Sequence, residues 1–271
     1  QGFGYSTKFD CTTAQGSLAS ADIIRFGTFL EGQNLQHIKK GTSNAESLTL
    51  SFWVKSNKTG TYTMRLEDQD NARMNCKSYT ISSSSTWEKK IISFDGDTTG
   101  ALGNDNGVSF VVRFNLLAGT NYDTGTLQTT WGSRTDANSA VGQVNLADNT
   151  SNEWYITGVQ LEVGTTASDF EFVPFDVNFQ RCQRYFEICE GGKEFYVGGT
   201  SNQKDYVNYS VKKRTSASVT KISGAENCCS SVSVDVGSRD PSIAGRVVGN
   251  NVFATGDNKF FEAVFSADAE L

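Results

Sequence analysis

Strict alternation of apolar and polar residues in two consecutive segments places the strongest constraint on how this chain folds. Every second residue of 48–55 is apolar, and after a turn at 57–60 the apolar residues Tyr62, Met64 and Leu66 again share one face. A strand with one buried face requires this period of two, and two such segments around a turn predict a β-hairpin. Further strands are predicted at 77–82, 86–94, 108–116 and 153–162. Several short strands separated by turn residues favour a β-sandwich or jelly roll.

Other parts of the first half lack a clean alternation. Residues 29–39 are predicted to contain a turn or two of helix, and residues 117–150 are predicted to form long loops with at most one short strand, around 141–147. The segment from Phe3 to Phe9 reads as a strand. Because the chain starts at Gln1 rather than Met, we expect a C-terminal portion of a longer polypeptide or a chain whose start was removed, with the first strand or strands of the sandwich upstream.

The alternating strands stop after Phe172 and return beyond Cys182, so we place a domain boundary between them. Within this connector Asp176 can cap a short helix, on which Phe179, Cys182 and Phe186 would share one face. Strands are then predicted at 184–189, 194–199, 204–212, 217–223, 230–236, 244–254 and 259–266. We therefore predict an all-β protein: a jelly-roll β-sandwich at 1–172, a connector with a short helix at 173–183, and a second, smaller β-domain at 184–271.

Charge and composition exclude several classes of function. The formal net charge is −6, whereas nucleic-acid binding needs clustered Lys and Arg, so we expect no nucleic-acid partner. No apolar run approaches the roughly 20 residues that span a bilayer, and we expect no membrane insertion. The six cysteines, which include the vicinal Cys228 and Cys229, carry no zinc-site spacing and are expected to be free thiols, as in a reducing cytoplasm.

Motifs for catalysis and for cofactors are sparse. His37 is the one histidine and is expected to be a surface or loop residue, because no nucleophile motif accompanies it. Acidic residues cluster at 67–70 and 187–194, and paired carboxylates could hydrolyse glycosides, but such clusters at turns are ordinarily solvated. We expect no cofactor, although a structural Ca²⁺ is possible because 95–100 partly matches a calcium-binding loop.

The outward faces of three strands carry the best candidate for a ligand site. If the apolar residues of each strand face the core, then Trp53 on the first strand, Arg65 and Glu67 on the second, and Arg113 and Asn115 on the third point outward. A flat aromatic ring beside polar groups suits a sugar, so these residues are predicted to bind glycan if the strands are neighbours. The alternative is that Trp53 packs beneath a loop or against another subunit.

Several segments in order resemble one family. Residues 47–62 resemble the strand pair of carbohydrate-binding-module-like jelly rolls in bacteriophage tail proteins, and 86–100 resemble the next strand and loop. Residues 154–164 with Cys182-Gln-Arg-Tyr185 resemble the last strand of that module and its exit, and 211–220 with the terminal 266–271 resemble the C-terminal domain of the same proteins. The resemblance implies a component of a virion fibre or spike, and it supplies no catalytic residues.

The resemblance and the residues together predict a non-enzymatic tail-fibre or receptor-binding protein that recognises bacterial surface glycan. It is expected to form a homotrimer, with outward apolar residues such as Val111 buried between chains, to contact other tail or virion proteins, and to be assembled in the host cytoplasm. One alternative is a structural virion component, such as a fibre, capsid decoration or adaptor, that makes only protein contacts. A polysaccharide depolymerase is a further alternative.

Overall fold

The fold was analysed in a computed structural model, which describes residues 2–197, 203–226, 231–236, 242–250 and 256–270. The chain divides into two compact units, Gln1–Glu171 and Phe172–Leu271. The division falls at the start of the connector that the sequence indicates. Each unit is built from antiparallel strands, and the predicted all-β fold class is confirmed.

The first unit contains two packed sheets. Its strands, in chain order, are β1 (Thr7–Asp10), β2 (Ile23–Glu31), β3 (Leu48–Ser56), β4 (Gly60–Asp68), β5 (Arg73–Ile81), β6 (Glu88–Phe94), β7 (Val108–Ala118), β8 (Gly132–Ser133) and β9 (Glu153–Val163). The first sheet has the order β1-β9-β3-β6, and the second has the order β2-β7-β4-β5-β8. The chain crosses between the sheets at most connections, and the first and last strands are neighbours. This order is that of a jelly roll.

The core of the first unit lies between the two sheets. The apolar sets predicted for β3, β4 and β7 all belong to it, as shown by the full burial of Phe52, Met64 and Phe110. Trp154 of β9 is fully buried among aromatic rings, and its centroid lies 5.8 Å from that of Phe9. Each of these side chains removes a large apolar area from water, which is the main favourable term in folding.

Strand β2 was not predicted, and it corrects two expectations. Its residues occupy part of 29–39, where we expected helix; only two short 3₁₀ turns follow the strand, Gly32–Asn34 and Gln36–Ile38. With β1 and β2 in place, the eight main strands of the jelly roll lie within 7–163, whereas we expected its first strand upstream of Gln1. The predicted strand at 3–9 is a four-residue strand that starts at Thr7.

The connection between β7 and β9 is mostly irregular, as predicted, but its details differ. It contains a single helical turn, α1 (Thr120–Asp123), the two-residue strand β8, and 3₁₀ turns at Asp136–Asn138 and Leu146–Asp148. The short strand expected around 141–147 is not formed. This connection folds back over the second sheet: the Val144 N–H donates to the Thr61 carbonyl at 2.9 Å, and the Arg134 N–H donates to the Ala72 carbonyl at 2.8 Å.

The second unit opens with a helix and continues with two three-stranded sheets in its described part. Its elements are α2 (Phe175–Gln183), β10 (Phe186–Val197), β11 (Gln203–Asn208), β12 (Ser218–Glu226), β13 (Ser231–Asp235), β14 (Ala244–Asn250) and β15 (Gly256–Asp268). The sheets have the orders β10-β15-β12 and β11-β14-β13. Their core includes Val247 and Phe265, both fully buried.

Details at the start of the second unit correct the sequence expectations. The described residues of the predicted segments 184–189 and 194–199 fall mostly in one strand, β10, which runs from Phe186 to Val197, and residues 198–199 lie outside the described residues. Pro174 takes the N-cap position of α2, so Asp176 lies within the first turn and does not cap it. Its carboxylate still suits the positive end of the helix dipole. Because the helix ends at Gln183, Phe186 belongs to a strand and not to the helix face shared by Phe179 and Cys182.

Four cysteines lie in the described part of the chain, Cys11, Cys76, Cys182 and Cys189, and all four are free thiols as predicted. The vicinal pair at 228–229 lies outside the described residues. No helix among the described residues has the length and apolar character needed to cross a membrane.

Candidate functional site

Trp53 lies on the outer face of the first sheet, as alternation predicts, and is half-buried there. The register of the sheet places Lys89 of β6 on one side of it and Thr157 of β9 on the other. Lys55, two residues further along β3, stands opposite Tyr155. Residues directly opposite in an antiparallel pair point to the same face, so these side chains form one surface.

Aromatic rings and lysines are interleaved on this surface. The Lys55 ammonium lies 4.2 Å from the Tyr155 ring centroid and 5.3 Å from that of Trp87, which precedes β6. The two rings lie 6.3 Å apart at an angle of 66°. Cation–π attraction at these distances holds the rings and the ammonium together. We call the surface formed by Trp53, Lys55, Trp87 and Tyr155 the aromatic sheet face.

Charged groups at the edge of the aromatic sheet face fix Tyr155. Its hydroxyl donates to Glu153 at 2.6 Å, and Lys8 of β1 pairs with the same carboxylate at 2.5 Å. The hydrogen bond to Glu153 raises the pKa of the Tyr155 phenol, with a smaller contribution from burial. Sequence reasoning found Trp53 but missed Trp87 and Tyr155, because the pairing that brings β9 beside β3 is not readable from local alternation.

The other four predicted site residues do not accompany Trp53. Arg65 and Glu67 lie on β4, and Arg113 and Asn115 lie on β7, which are neighbours in the second sheet. They share one face, as predicted, but it is the outer face on the opposite side of the sandwich. The expectation that all five residues form one ligand surface is therefore wrong, because β3 belongs to the first sheet.

The four residues are also not an open surface. Arg65, Glu67 and Asn115 are buried and Arg113 is half-buried, because the connection between β7 and β9 lies over this sheet. Asn115 donates through Nδ2 to the Thr63 hydroxyl at 2.9 Å and to the Ser139 carbonyl at 3.3 Å.

Burial beneath the same connection also corrects one expectation for the trimer. Val111 is fully buried within its own chain and so has no surface to offer a partner subunit.

Glu67 is the centre of an ion-pair network beneath this cover. Its carboxylate accepts from Arg65 Nη2 at 2.7 Å, from Arg113 Nη1 at 3.0 Å and from Arg134 Nη1 at 2.8 Å. Burial alone would raise the pKa of Glu67, but the charge of Arg65, the hydrogen bond from Arg134 and the charge of Arg113 together hold it below its ordinary value. A carboxylate held ionised in this way is unsuited to act as a general acid near neutral pH.

A second buried network occupies the loop in which calcium was considered. The carboxylates of Asp68 and Asp97 and the carbonyls of Thr99 and Gly100 surround the ammonium of Lys40 at 2.5, 3.0, 2.9 and 2.8 Å respectively. We call these four oxygen groups the oxygen cage. The loop thus directs oxygens at a cation, but this cation is a side chain from a distant part of the chain and not Ca²⁺.

The remaining candidates for catalysis and metal binding are isolated. His37 lies exposed in a 3₁₀ turn, as expected. Within the described ranges, no group of three or more His, Cys, Asp or Glu side chains is placed to hold a metal ion. In the second unit, Glu187 is paired with Lys213 at 2.8 Å; burial alone would raise its pKa, but hydrogen bonds from Lys213 and Ser210 lower it.

Searches of protein-family models and of curated proteins find no match to this chain. The resemblance to phage tail proteins therefore rests on the sequence segments described above, and the jelly roll and its aromatic sheet face are the features on which a function can be argued.

Proposed function

We propose that the chain is a non-enzymatic tail-fibre or receptor-binding protein of a bacteriophage, and that its first unit binds a bacterial surface glycan through the aromatic sheet face. The observation that carries this proposal is the arrangement of Trp53, Trp87 and Tyr155 around Lys55 on one accessible face of a jelly roll. Aromatic rings offer flat apolar surfaces to the C–H faces of a pyranose, and lysines offer N–H donors to its oxygens.

Charge favours a glycan that carries anionic groups. The chain as a whole is acidic, and Lys8 is already paired with Glu153, yet Lys55 and Lys89 also lie on or beside the aromatic sheet face. Because exposed charges act over about 10 Å at moderate salt, these ammonium groups attract uronate or phosphate groups and steer their approach.

The charged networks support a binding function over a hydrolytic one. Glycoside hydrolysis needs one carboxyl group that stays protonated near neutral pH and a second one 5–10 Å away. Glu67, Asp68 and Glu187 are each held by at least one cationic side chain, and the pKa values of Glu67 and Glu187 are lowered. These residues are therefore poor candidates for the acid of a depolymerase.

The proposed site is tested by measuring binding of the whole chain to a glycan array and to a panel of bacterial cells. Trp53→Ala and Tyr155→Ala are expected to weaken binding by ~1–3 kcal/mol each, the usual value of a stacked aromatic contact. Trp53→Phe keeps a flat ring and is expected to retain more of the affinity than Trp53→Ala. Ile243→Ala, an exposed apolar residue of the second unit, serves as the control and is expected to bind as the wild type does.

Two results would contradict the proposal. Unchanged binding by both alanine variants would move the ligand site away from the aromatic sheet face. Release of reducing sugar ends from the bound glycan, measured in the same samples, would replace the binding function with a depolymerase activity.

We further propose that the protein forms a homotrimer within an exposed appendage of the virion, in contact with other tail proteins, after assembly in the host cytoplasm. The free thiols of the described cysteines fit assembly in a reducing compartment. Helix α2 supports self-association, because Phe175 and Phe179 are stacked with centroids 5.6 Å apart and their residues are 81% and 51% exposed.

Oligomeric state is measured by light scattering on the wild type and on Phe175→Ser/Phe179→Ser. A threefold mass for the wild type and a smaller mass for the double variant are expected, since cyclic symmetry can bury such a stripe between copies. A wild type that remains monomeric at micromolar concentration would refute the trimer.

A further inference from the structure

The outer face of the second sheet holds more positive charge than its carboxylates balance. Four guanidinium groups meet there, those of Arg25, Arg65, Arg113 and Arg134, which we call the arginine cluster. In the described part of the chain, the carboxylates paired with the cluster are Glu67, which accepts from three of them, and the half-exposed Asp136, whose Oδ1 lies 3.5 Å from Arg65 Nη1. Two positive charges are therefore in excess.

The hydrogen bonds of Arg25 and Arg65 are also incomplete. Arg25 Nε donates to Asn115 Oδ1 at 3.3 Å, and its guanidinium carbon lies 4.9 Å from the Tyr122 ring centroid, but its Nη2 is buried without an acceptor. Arg65 is almost fully buried, and its Nε likewise has no acceptor. A buried charge without a complete set of partners is costly.

Arg25 does not relieve the cost by losing its proton. Burial, followed by the charges of Arg65 and Arg113, lowers the pKa of Arg25 to about 10, which leaves it charged at neutral pH. The same face must therefore either tolerate the excess charge or receive an anion from outside.

We propose that the arginine cluster is a binding site for an oxyanion, the phosphate or carboxylate group of a ligand. The accessible donors are Arg113 and Arg134, whose side chains are 23% and 40% exposed, and the buried Arg65 and the half-buried Arg25 supply positive potential beside them. Gly27 of β2 permits this arrangement, because a Cβ there would lie 3.1 Å from Arg113 Cγ and 2.2 Å from the Val112 carbonyl oxygen. Guanidinium groups bind such anions through paired, charge-assisted hydrogen bonds.

The site is independent of the proposed glycan surface, which lies on the other sheet of the sandwich. Its ligand can be the anionic group of a glycan or a free phosphorylated or carboxylated molecule. Inorganic phosphate and glucuronate separate phosphate recognition from carboxylate recognition, because the first presents a tetrahedral oxyanion and the second presents a carboxylate on a sugar.

The test is isothermal titration of the whole chain with inorganic phosphate and, separately, with glucuronate, at pH 7 and at an ionic strength held constant with sodium chloride. Saturable binding of one anion per chain is expected for at least one of the two probes. Arg134→Gln removes an accessible donor and is expected to weaken that binding by roughly tenfold or more, as loss of a charge-assisted hydrogen bond does. Arg246→Gln, in the second unit, is the matched control and is expected to leave it unchanged.

A second variant is expected to have the opposite effect on anion binding. Asp136→Asn removes a competing carboxylate from the cluster and is expected to strengthen anion binding severalfold without disturbing Glu67. A wild type that binds neither probe beyond the effect of chloride would overturn the proposal. So would an Arg134→Gln variant with wild-type affinity, or an Asp136→Asn variant that binds no more tightly than the wild type.

Discussion

Replacement of Lys40 by methionine tests whether the oxygen cage depends on its internal cation. Methionine has a similar length and no charge, so the packing of the aliphatic chain is largely kept. Asp68 and Asp97 are buried, and without the ammonium they become two carboxylates in one cage. Arg73 still binds Asp97, with Nε to Oδ2 at 2.7 Å, and Asn71 still donates to Asp68, with Nδ2 to Oδ2 at 2.9 Å.

The expected loss follows from the partner that remains unpaired. Removing one member of a buried ion pair typically costs about 3–5 kcal/mol, because the other charge stays buried without compensation. Against a total stability of about 5–15 kcal/mol for a domain, this loss is large. Arg73 still compensates the charge of Asp97 in the variant, so we expect a loss near the lower end of the range, about 3 kcal/mol.

Urea unfolding followed by tryptophan fluorescence measures this loss of stability in the first unit, which contains the oxygen cage. All four tryptophans, the last of which is Trp154, precede the division at Glu171, so the signal reports the first unit alone. The Lys40 ammonium itself lies 5.6 Å from the ring centroid of Trp131. A loss of less than about 1 kcal/mol, the scale of an exposed ion pair, would refute the argument that the cage depends on Lys40.

Two further measurements separate charge from packing, the first in Lys40→Met and the second in Lys40→Ala. Burial alone would raise the pKa of Asp97, but hydrogen bonds from Arg73 and Lys40 and from the backbone of Thr99 hold it below its ordinary 3.8. The stability that this carboxylate contributes is therefore present above that value and is lost as the pH falls through the lower folded pKa. In Lys40→Met the pKa of Asp97 rises, so this carboxylate takes up a proton at a higher pH than in the wild type. The difference in unfolding free energy between wild type and variant is therefore expected to become smaller as the pH falls toward about 4. Calcium is expected to stabilise Lys40→Ala and not the wild type, since carboxylate and carbonyl oxygens are calcium ligands.

Three other perturbations have expected outcomes. Alkylation of the native protein, mapped by mass spectrometry, is expected to label exposed Cys182 rapidly and to spare Cys76, because burial raises the pKa of that thiol to about 12; equal labelling would contradict its burial. Gly158→Ala places a side chain at a φ of 58° and within 2.4 Å of a neighbouring aromatic ring, and is expected to lower the stability of the first unit by roughly 1–3 kcal/mol in thermal unfolding; an unchanged Tm would disprove that strain. Lys213→Met leaves Glu187 without its buried partner and is expected to increase amide hydrogen exchange in the second unit without changing the tryptophan signal. Equal amide protection in the variant and the wild type would argue against the pairing.

Local alternation was sufficient to predict which residues of several strands face the core. The apolar sets of β3, β4 and β7 are buried as predicted, because one face of each strand must leave water and the period of two decides which face it is. Strand β2 was missed because Gly27 and two irregularities in its register, at Ile24 and at Leu30, interrupt the pattern. The sequence gives no equivalent local signal for pairings between distant strands.

The candidate site was harder to predict because it depends on those distant pairings. Alternation correctly placed Trp53 and Arg65 on outer faces, but it carries no information about which sheet a strand joins. It also cannot show whether another segment covers an outer face, as the connection after β7 covers Arg65. The oxygen cage illustrates the same limit: the loop that contains Asp97 matched a calcium-binding loop only in part, and its cation, Lys40, comes from a segment far away in sequence.

The antiparallel pairing of β1 with β9 has a mechanical consequence. The chain enters the first unit through β1 and leaves it through β9, and Thr7 pairs with Ile156 while Asp10 pairs with Glu153. Both ends of the unit therefore leave the sheet in the same direction. Tension applied between them opens the hydrogen bonds of this pair one after another, starting at Thr7, instead of loading them all at once. The strand that peels away first carries Lys8 and, next to it, Phe9, so pulling on the unit by its ends removes the lysine that fixes Glu153 and Tyr155 just before it withdraws a ring from beside Trp154.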